Sequence, residues 1–102
     1  MEVVVLKVVN DLIYSLDQAT FAKTLRLVNL LEKFGHLLGM PHSRKISSKL
    51  FELRIRGAKE VRIFYTLKTD KIYLLHGFIK KTQKTPRQEI EKAVNRMKTL
   101  DI

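Results

Sequence analysis

The chain contains no cysteine, and only two prolines and four glycines among its 102 residues. Without cysteine there can be no disulfide bond, no thiol nucleophile and no zinc site built on thiolates. No apolar run approaches the roughly 20 residues of a membrane-spanning helix, and the N-terminus lacks the pattern of a signal peptide. We therefore expect a cytoplasmic protein without membrane association and, at this length, a single domain over residues 1–102.

Acidic residues are scarce in one part of the chain. Residues 44–87 hold thirteen basic and three acidic residues, whereas basic and acidic residues balance in 1–41 and in 88–102. The whole net charge of +10 therefore lies in the central segment. This asymmetry predicts a polyanionic partner, either nucleic acid or an acidic protein segment. The alternative is a basic face without a partner.

The first 45 residues predict one strand and two helices. Val3–Leu6 is a β-branched run typical of a strand, and Asp11–Leu16 can form a short helix. Asp17 is suited to cap a longer helix, which we expect to end at Gly35 or Gly39 before a loop over 37–45. Spacings of three and four residues predict that this helix buries a stripe of Phe21, Leu25, Val28, Leu31 and Phe34, widened by Ala22, Leu30 and Leu38.

The next part of the chain changes to a period of two. Leu50–Arg56, Val61–Leu67 and Ile72–Ile79 read as strands with short connections, which predicts an antiparallel meander. In a pleated sheet, three side chains of the first strand would face the core together with three of the second: Phe51, Leu53, Ile55, Val61, Ile63 and Tyr65. Arg54, Arg56 and Arg62 would then share the opposite face, with Arg62 turned towards solvent.

The C-terminal part predicts a helix that lies on this sheet. Thr85–Gln88 has the pattern of a capping box, with Thr85 as the N-cap and Pro86 at the first helical position. A stripe for packing follows, formed by Ile90, Ala93, Val94 and Met97. The basic loop Lys80–Lys84 would be held between a strand end and this helix, in a position suited to function.

The sequence lacks the residues of the commonest hydrolytic sites. There is no Ser-His-Asp set and no glycine-rich phosphate loop, and the acidic residues of 44–87 are too few for a two-metal nuclease. His36, His42 and His76 lack the close spacing of a metal site, so we expect neither metal nor cofactor. Phosphodiester cleavage would then depend on cations, which RNA permits because its 2′-hydroxyl can attack the adjacent phosphate. Arginine binds two phosphate oxygens at once, and crowded lysines have lowered pKa values.

Three segments carry a resemblance to a known family. Residues 50–55 (LFELRI), 61–65 (VRIFY) and 74–86 (LLHGFIKKTQKTP) resemble the RelE/HigB toxin superfamily, in particular its branch of phage-derived-protein-like HigB toxins. The resemblance implies an α+β, RelE-like fold: an N-terminal strand, two helices, an antiparallel three-strand meander that completes the sheet, and a C-terminal helix. It also implies a ribosome-dependent endoribonuclease that cuts mRNA and is neutralised by a cognate antitoxin.

The resemblance also assigns roles to residues. Arg62 matches an arginine that contacts the scissile phosphate, Arg54 matches a basic position one strand earlier, and Lys80 and Lys81 match a basic pair at the end of the last strand. RelE toxins carry a further C-terminal tyrosine, but no tyrosine follows Tyr73 here. The general acid or base therefore stays open among four residues: Lys80, Lys81, His76 and Tyr65.

Further residues are expected to bind RNA. These are Arg56, Lys45, Lys49 and Lys84, with Phe64 as a ring that could stack on a base. Core packing is the alternative for Phe64, and a structural role is the alternative for His76. The expected partners are the ribosome, mRNA and a small helix-turn-helix antitoxin. Two other functions remain open: a ParE-like toxin that binds gyrase, and a non-catalytic module that binds RNA or DNA.

Overall fold

The expected order of an N-terminal strand, two helices, a meander and a C-terminal helix is present in the computed structural model, which describes residues 1–102. A single turn of 3-10 helix, Gly35–Leu37, follows the second helix. No helix combines the length and apolar character needed to cross a membrane. The elements are β1 (Glu2–Val5), α1 (Lys7–Ser15), α2 (Gln18–Phe34), β2 (Ser43–Lys45), β3 (Phe51–Ile55), β4 (Glu60–Lys68), β5 (Lys71–Lys80) and α3 (Arg87–Thr99).

The five strands form one sheet in the order β1-β5-β4-β3-β2. β3, β4 and β5 are antiparallel neighbours, which confirms the predicted meander. β1 runs parallel to β5 at one edge of the sheet, and β2 is antiparallel to β3 at the other. The prediction of an unbroken loop over 37–45 is wrong, because a strand of three residues is too short to show a period of two.

The helices cover both faces of the sheet. On one face, α1 and α2 pack on the main core, where Leu53 lies opposite Ile63 and Ile55 opposite Val61, as predicted. On the other face, α3 packs on a smaller apolar cluster through Ala93 and Met97. That second face is only partly apolar, and its remainder carries the charged residues of the sheet.

The start of α2 confirms the predicted cap. The Asp17 carboxylate accepts hydrogen bonds from the Thr20 backbone N–H at 3.1 Å and from the Thr20 hydroxyl at 2.8 Å. These bonds, with the Lys59 ammonium group, lower the pKa of Asp17 to about 2. The helix ends at Phe34 because Gly35 has a φ of 53°, in the region that favours glycine.

The buried stripe of α2 differs from the predicted one. Thr20, Thr24, Leu27 and Leu31 are buried, whereas Leu25 and Phe34, both predicted to be buried, are exposed. Thr24 tolerates burial because its hydroxyl donates to the Thr20 carbonyl at 2.8 Å. The predicted stripe is therefore correct at Leu31 and at the half-buried Phe21 and Val28, which pack on the main core, but it omits the buried Thr20, Thr24 and Leu27 and includes Ala22, which is exposed.

The boundaries at the N-terminus are also displaced. β1 covers Glu2–Val5 rather than Val3–Leu6, and α1 begins at Lys7 rather than Asp11. The β-branched residues Val8 and Val9 favour a strand locally, but burial of Val9 in the main core stabilises the helix.

The predicted capping box of α3 does not form. The helix starts at Arg87 with Pro86 as its N-cap, and no side chain caps it. The Thr85 hydroxyl donates instead to the Glu52 carboxylate at 2.8 Å. Thr85 therefore attaches the start of α3 to the sheet.

Candidate functional site

Basic side chains from neighbouring strands meet on the α3 face of the sheet. Arg54 on β3 lies directly opposite Arg62 on β4, and Lys80 at the end of β5 lies opposite Glu60 at the start of β4. These residues occupy the same side of the pleat. The pairing therefore gathers three cations at one place in the sheet.

Lys80 reaches this face through a β-bulge. The register between β4 and β5 shifts after Phe64, so that Leu75 is an extra residue of β5 without a partner in β4. Strict alternation would place Lys80 on the face of Leu74, which belongs to the main core. The bulge takes Leu75 out of the pairing, so the alternation resumes at His76 and places Lys80 on the face of Arg62.

Glu52 is the counter-ion of the arginines on this face. Its carboxylate is 1% exposed and lies 3.5 Å from Arg44 Nε, 3.8 Å from Arg54 Nε and 4.0 Å from Arg62 Nε. Its second oxygen accepts the hydrogen bond from Thr85. One buried negative charge therefore holds together three guanidinium groups that would otherwise repel one another.

Arg62 is buried, and the expectation that it faces solvent is wrong. Its side chain is 2% exposed, and its guanidinium donates to the carbonyls of Ile55 at 3.4 Å and Val61 at 3.1 Å. A third bond joins it to the Glu60 carboxylate at 2.9 Å. The pleat turns Arg62 away from the main core, as predicted, but neighbouring residues cover it on the other side.

Two adjoining cavities open on the same face. The Glu52 cavity has a volume of about 360 Å³, and the Glu60 cavity a volume of about 400 Å³. Lys80 and Gln83 line both of them, so the two cavities lie side by side. The Glu52 cavity is also lined by Arg44, Glu52, Arg54, Lys84, Thr85 and Ile90, and the Glu60 cavity by Arg56, Glu60, Arg62, Lys81 and Thr82.

Lys80 stands at the boundary between the cavities. Its ammonium group donates to the Gln83 carbonyl at 2.8 Å, which orients it within the loop. Burial lowers the pKa of Lys80, and the positive charges of Arg62 and Arg54 lower it further, while Glu52 acts in the opposite direction. This environment makes Lys80 the most suitable lysine of the cluster for giving up a proton.

His76 and Tyr65 lie apart from both cavities. His76 is buried under α3, where its Nε2 is 3.1 Å from a Glu89 carboxylate oxygen and its Nδ1 accepts from Arg96 at 2.7 Å. Burial is the main cause that lowers the pKa of His76. Tyr65 lies in the main core with its hydroxyl bonded to Ser43, and burial raises its pKa.

The residues expected to bind RNA fall into two groups. Arg56 and Lys84 line the cavities. Lys45 and Lys49 are exposed but line neither cavity. The Phe64 ring is fully buried in the cluster beneath α3, so it presents no face to an RNA base.

Four residues of the site were not predicted from the sequence: Glu52, Arg44, Thr85 and Gln83. A lone acidic residue on the same face of the strand as Arg54 and Arg56 is the one feature that could have indicated Glu52, since a carboxylate among guanidinium groups is their natural counter-ion. Arg44 was missed because its strand was not recognised. Thr85 was assigned to a local cap, although its hydroxyl bonds across the fold to β3.

The structure brings together no group of three or more His, Asp or Glu side chains that could hold a metal ion.

The fold and this site define a class of protein: a small α+β protein with a cationic cleft at the end of its sheet. The family model described as "Phage derived protein Gp49-like (DUF891)" matches residues 11–98, from α1 to α3, and the chain belongs to this family. The family is of the RelE/Gp49 toxin type, which indicates a toxin of a toxin–antitoxin system and implies an antitoxin partner. A search of curated proteins gives no match.

Proposed function

We propose that this chain is a toxin of the HigB branch that cuts mRNA on the ribosome, in the cytoplasm and without a metal ion. The observation that carries the proposal is the place of Lys80: a lysine with a lowered pKa stands between two cationic cavities, beside guanidinium groups. Cleavage of RNA by its own 2′-hydroxyl needs both a charge that stabilises the phosphate and a group that moves protons.

In the proposed reaction, the 2′-oxygen attacks phosphorus and the 5′-oxygen leaves. The proton of the 2′-hydroxyl passes to a base, and the leaving oxygen gains a proton, so the products are a 2′,3′-cyclic phosphate and a 5′-hydroxyl. Lys80 is the proposed group for one of these transfers. Lys81 would stabilise the negative charge that develops on the phosphate oxygens, and Arg54, which lines the neighbouring Glu52 cavity, would add positive charge from there.

Arg62 would also bind the phosphate, on a condition set by its contacts in the folded chain. Its two terminal nitrogens donate to Ile55, Val61 and Glu60, while its Nε has no hydrogen-bond partner. A phosphate in the Glu60 cavity would reach the Arg62 guanidinium by replacing the Glu60 carboxylate, since both are anions of similar hydrogen-bonding geometry. Arg56, on the wall of the same cavity, would add a further positive charge.

The first experiment asks whether the chain cuts RNA and by which chemistry. Purified protein is added to a translation system with a defined mRNA, and the ends of the fragments are mapped with and without ribosomes. We expect cuts only with ribosomes, with 2′,3′-cyclic phosphate and 5′-hydroxyl ends. Absence of cuts together with inhibition of DNA gyrase would favour a ParE-like toxin. RNA or DNA binding alone would favour a non-catalytic module.

Variants of Lys80 test its role directly. We expect Lys80→Ala to lower the cleavage rate on the order of 100- to 1000-fold, the usual effect of removing a group that stabilises a transition state. Lys80→Arg keeps the charge but cannot release a proton near neutral pH, so it should be as inactive as Lys80→Ala. Lys71→Ala, at the other end of the same strand, is the matched control and should cut normally. Full activity of Lys80→Arg would restrict Lys80 to a charge role.

The antitoxin is the second partner to test. We expect a small helix-turn-helix protein encoded next to this chain to relieve growth arrest on co-expression. If no adjacent small protein relieves it, or if the chain alone never arrests growth, the toxin proposal fails.

A further inference from the structure

The Glu52 cavity is distinct from the Glu60 cavity, and the role proposed for the Glu60 cavity does not account for it. The two share only Lys80 and Gln83. A single phosphate beside Arg62 would leave Arg44 and Lys84 without a function, because neither lines the Glu60 cavity. The second cavity therefore needs an explanation of its own.

The wall of the Glu52 cavity is held in place by the protein itself. The buried Glu52 carboxylate faces Arg44 Nε at 3.5 Å and Arg54 Nε at 3.8 Å, and Thr85 is bonded to the same carboxylate. Arg54 Nε is moreover a buried donor with no acceptor in the protein. Cations positioned before a ligand arrives lose little conformational entropy on binding it.

The lining indicates which part of an RNA the cavity can hold. It contains one apolar residue, Ile90, and no aromatic ring on which a base could stack, and its two arginines face the Glu52 carboxylate. Four cations face one carboxylate, which leaves a net positive charge. The N-terminus of α3, which has no side-chain cap, also contributes its positive dipole end at this rim.

We propose that the Glu52 cavity is a second phosphate subsite, which binds the phosphate next to the one that is cleaved. This inference rests on the proposed RNA substrate and deepens it: the site would recognise two consecutive phosphates of one strand, with Lys80 between them. Arg44 and Lys84 line this subsite but not the Glu60 cavity, and both are exposed enough to be changed without disturbing the core.

The experiment measures binding to short RNAs that cannot be cleaved. The probes are 2′-O-methyl oligouridylates with one or with two internucleotide phosphates, titrated against the full chain at several salt concentrations. For the wild-type chain, the second phosphate should steepen the slope of log K against log salt by roughly 0.7, the value for one phosphate contact in a single strand. In Arg44→Ala and in Lys84→Ala, the second phosphate should add little or nothing to the slope.

Arg87→Ala is the matched control. Arg87 begins α3 close to the cavity, but its side chain is 93% exposed and lines neither cavity. This variant should keep the wild-type increment. An equal increment in wild type and Arg44→Ala, or an equal loss in Arg87→Ala, would overturn the subsite. Because these probes cannot be cut, a positive result stands even if the chain fails to cleave mRNA, so the two proposals fail separately.

Discussion

At the scale of single residues, the unusual feature is a buried carboxylate among arginines. Glu52→Gln should lower the free energy of unfolding by about 3–5 kcal/mol, because it leaves three guanidinium groups without their shared counter-ion. Glu60→Gln is the matched control: Glu60 also contacts Arg62, but it is 36% exposed, so the loss should stay within about 1 kcal/mol. Urea unfolding of the two variants measures the difference, and equal losses would contradict the role assigned to Glu52.

The same carboxylate should influence Lys80. Glu52 raises the pKa of Lys80 against the combined effect of burial and the arginines. In Glu52→Gln, the pKa of Lys80 should therefore fall further below its usual value. Titration of the lysine side chains by NMR measures this shift, with Lys71 as an internal reference. An unchanged Lys80 in this variant would show that Glu52 does not act on it.

The arginines of the site were easier to predict from the sequence than its buried carboxylate, Glu52. Arg54 and Arg62 were placed on one face by alternation alone, and their pairing confirms it. The burial of Arg62 could not be predicted, because it depends on contacts with Glu60 and with backbone carbonyls that only the folded chain brings together. Glu52 was missed for the same reason, since its partners come from three strands and a loop.

At the scale of elements, His76 connects β5 to α3. It is held between Glu89 and Arg96, and its lowered pKa means that the native state favours the neutral ring. As pH falls below 6.5, the unfolded chain takes up the proton first, so the contribution to stability is lost as pH falls through the folded pKa.

This predicts a pH dependence that one substitution removes. Stability measured by urea unfolding should decline between about pH 7 and pH 5, and His76→Gln should show less of this decline. Glu89, Arg96 and Lys92 are the charged groups that act on the ring, and they stay in place in this variant. A decline of the same size in both proteins would place its cause elsewhere.

The elements themselves were predicted unevenly. Four elements were recognised because each is long enough to show its hydrophobic periodicity: β3, β4, β5 and α3. β2 was missed because it has three residues, and the capping box failed because the Thr85 hydroxyl has a stronger acceptor in a buried carboxylate. Local patterns therefore located the strands of the site, while long-range contacts decided its details.

At the scale of the whole molecule, part of the positive charge in 44–87 gathers at one end of the sheet, where Arg54, Arg62 and Lys80 meet. Lys80 and Lys71 are the two ends of β5, roughly 30 Å apart for an extended strand of this length. Lys81 follows the cationic end and lines the Glu60 cavity. Basic residues of the site are thus concentrated at one end of the sheet, and the net charge of the chain does not show this uneven distribution.

This distribution predicts unequal effects of equal charge changes. Lys81→Glu should weaken RNA binding and flatten its salt dependence more than Lys71→Glu does, although both change the net charge by the same amount. Binding to a single-stranded RNA at about 50 and 200 mM salt measures both quantities. Equal effects would show that RNA responds to the overall charge of the protein rather than to this site.

Because of the bulge at Leu75, the face of the sheet on which Lys80 lies depends on the number of residues in β5. Deletion of Leu75 should remove the bulge and leave Leu74 and His76 as consecutive residues opposite Tyr65 and Phe64, so that regular alternation keeps Lys80 on the face of Arg62, whereas Leu75→Ala keeps the extra residue and removes its side chain. We expect both variants to retain RNA binding at lower stability, because the Leu75 side chain is fully buried beneath α3. Deletion of Leu75 together with Gly77 leaves an even spacing between Leu74 and Lys80 without a bulge, which turns Lys80 towards the main core and should abolish binding. Scanning by substitution would never reveal this dependence, because the face of Lys80 is set by the number of residues in β5 and not by their chemistry.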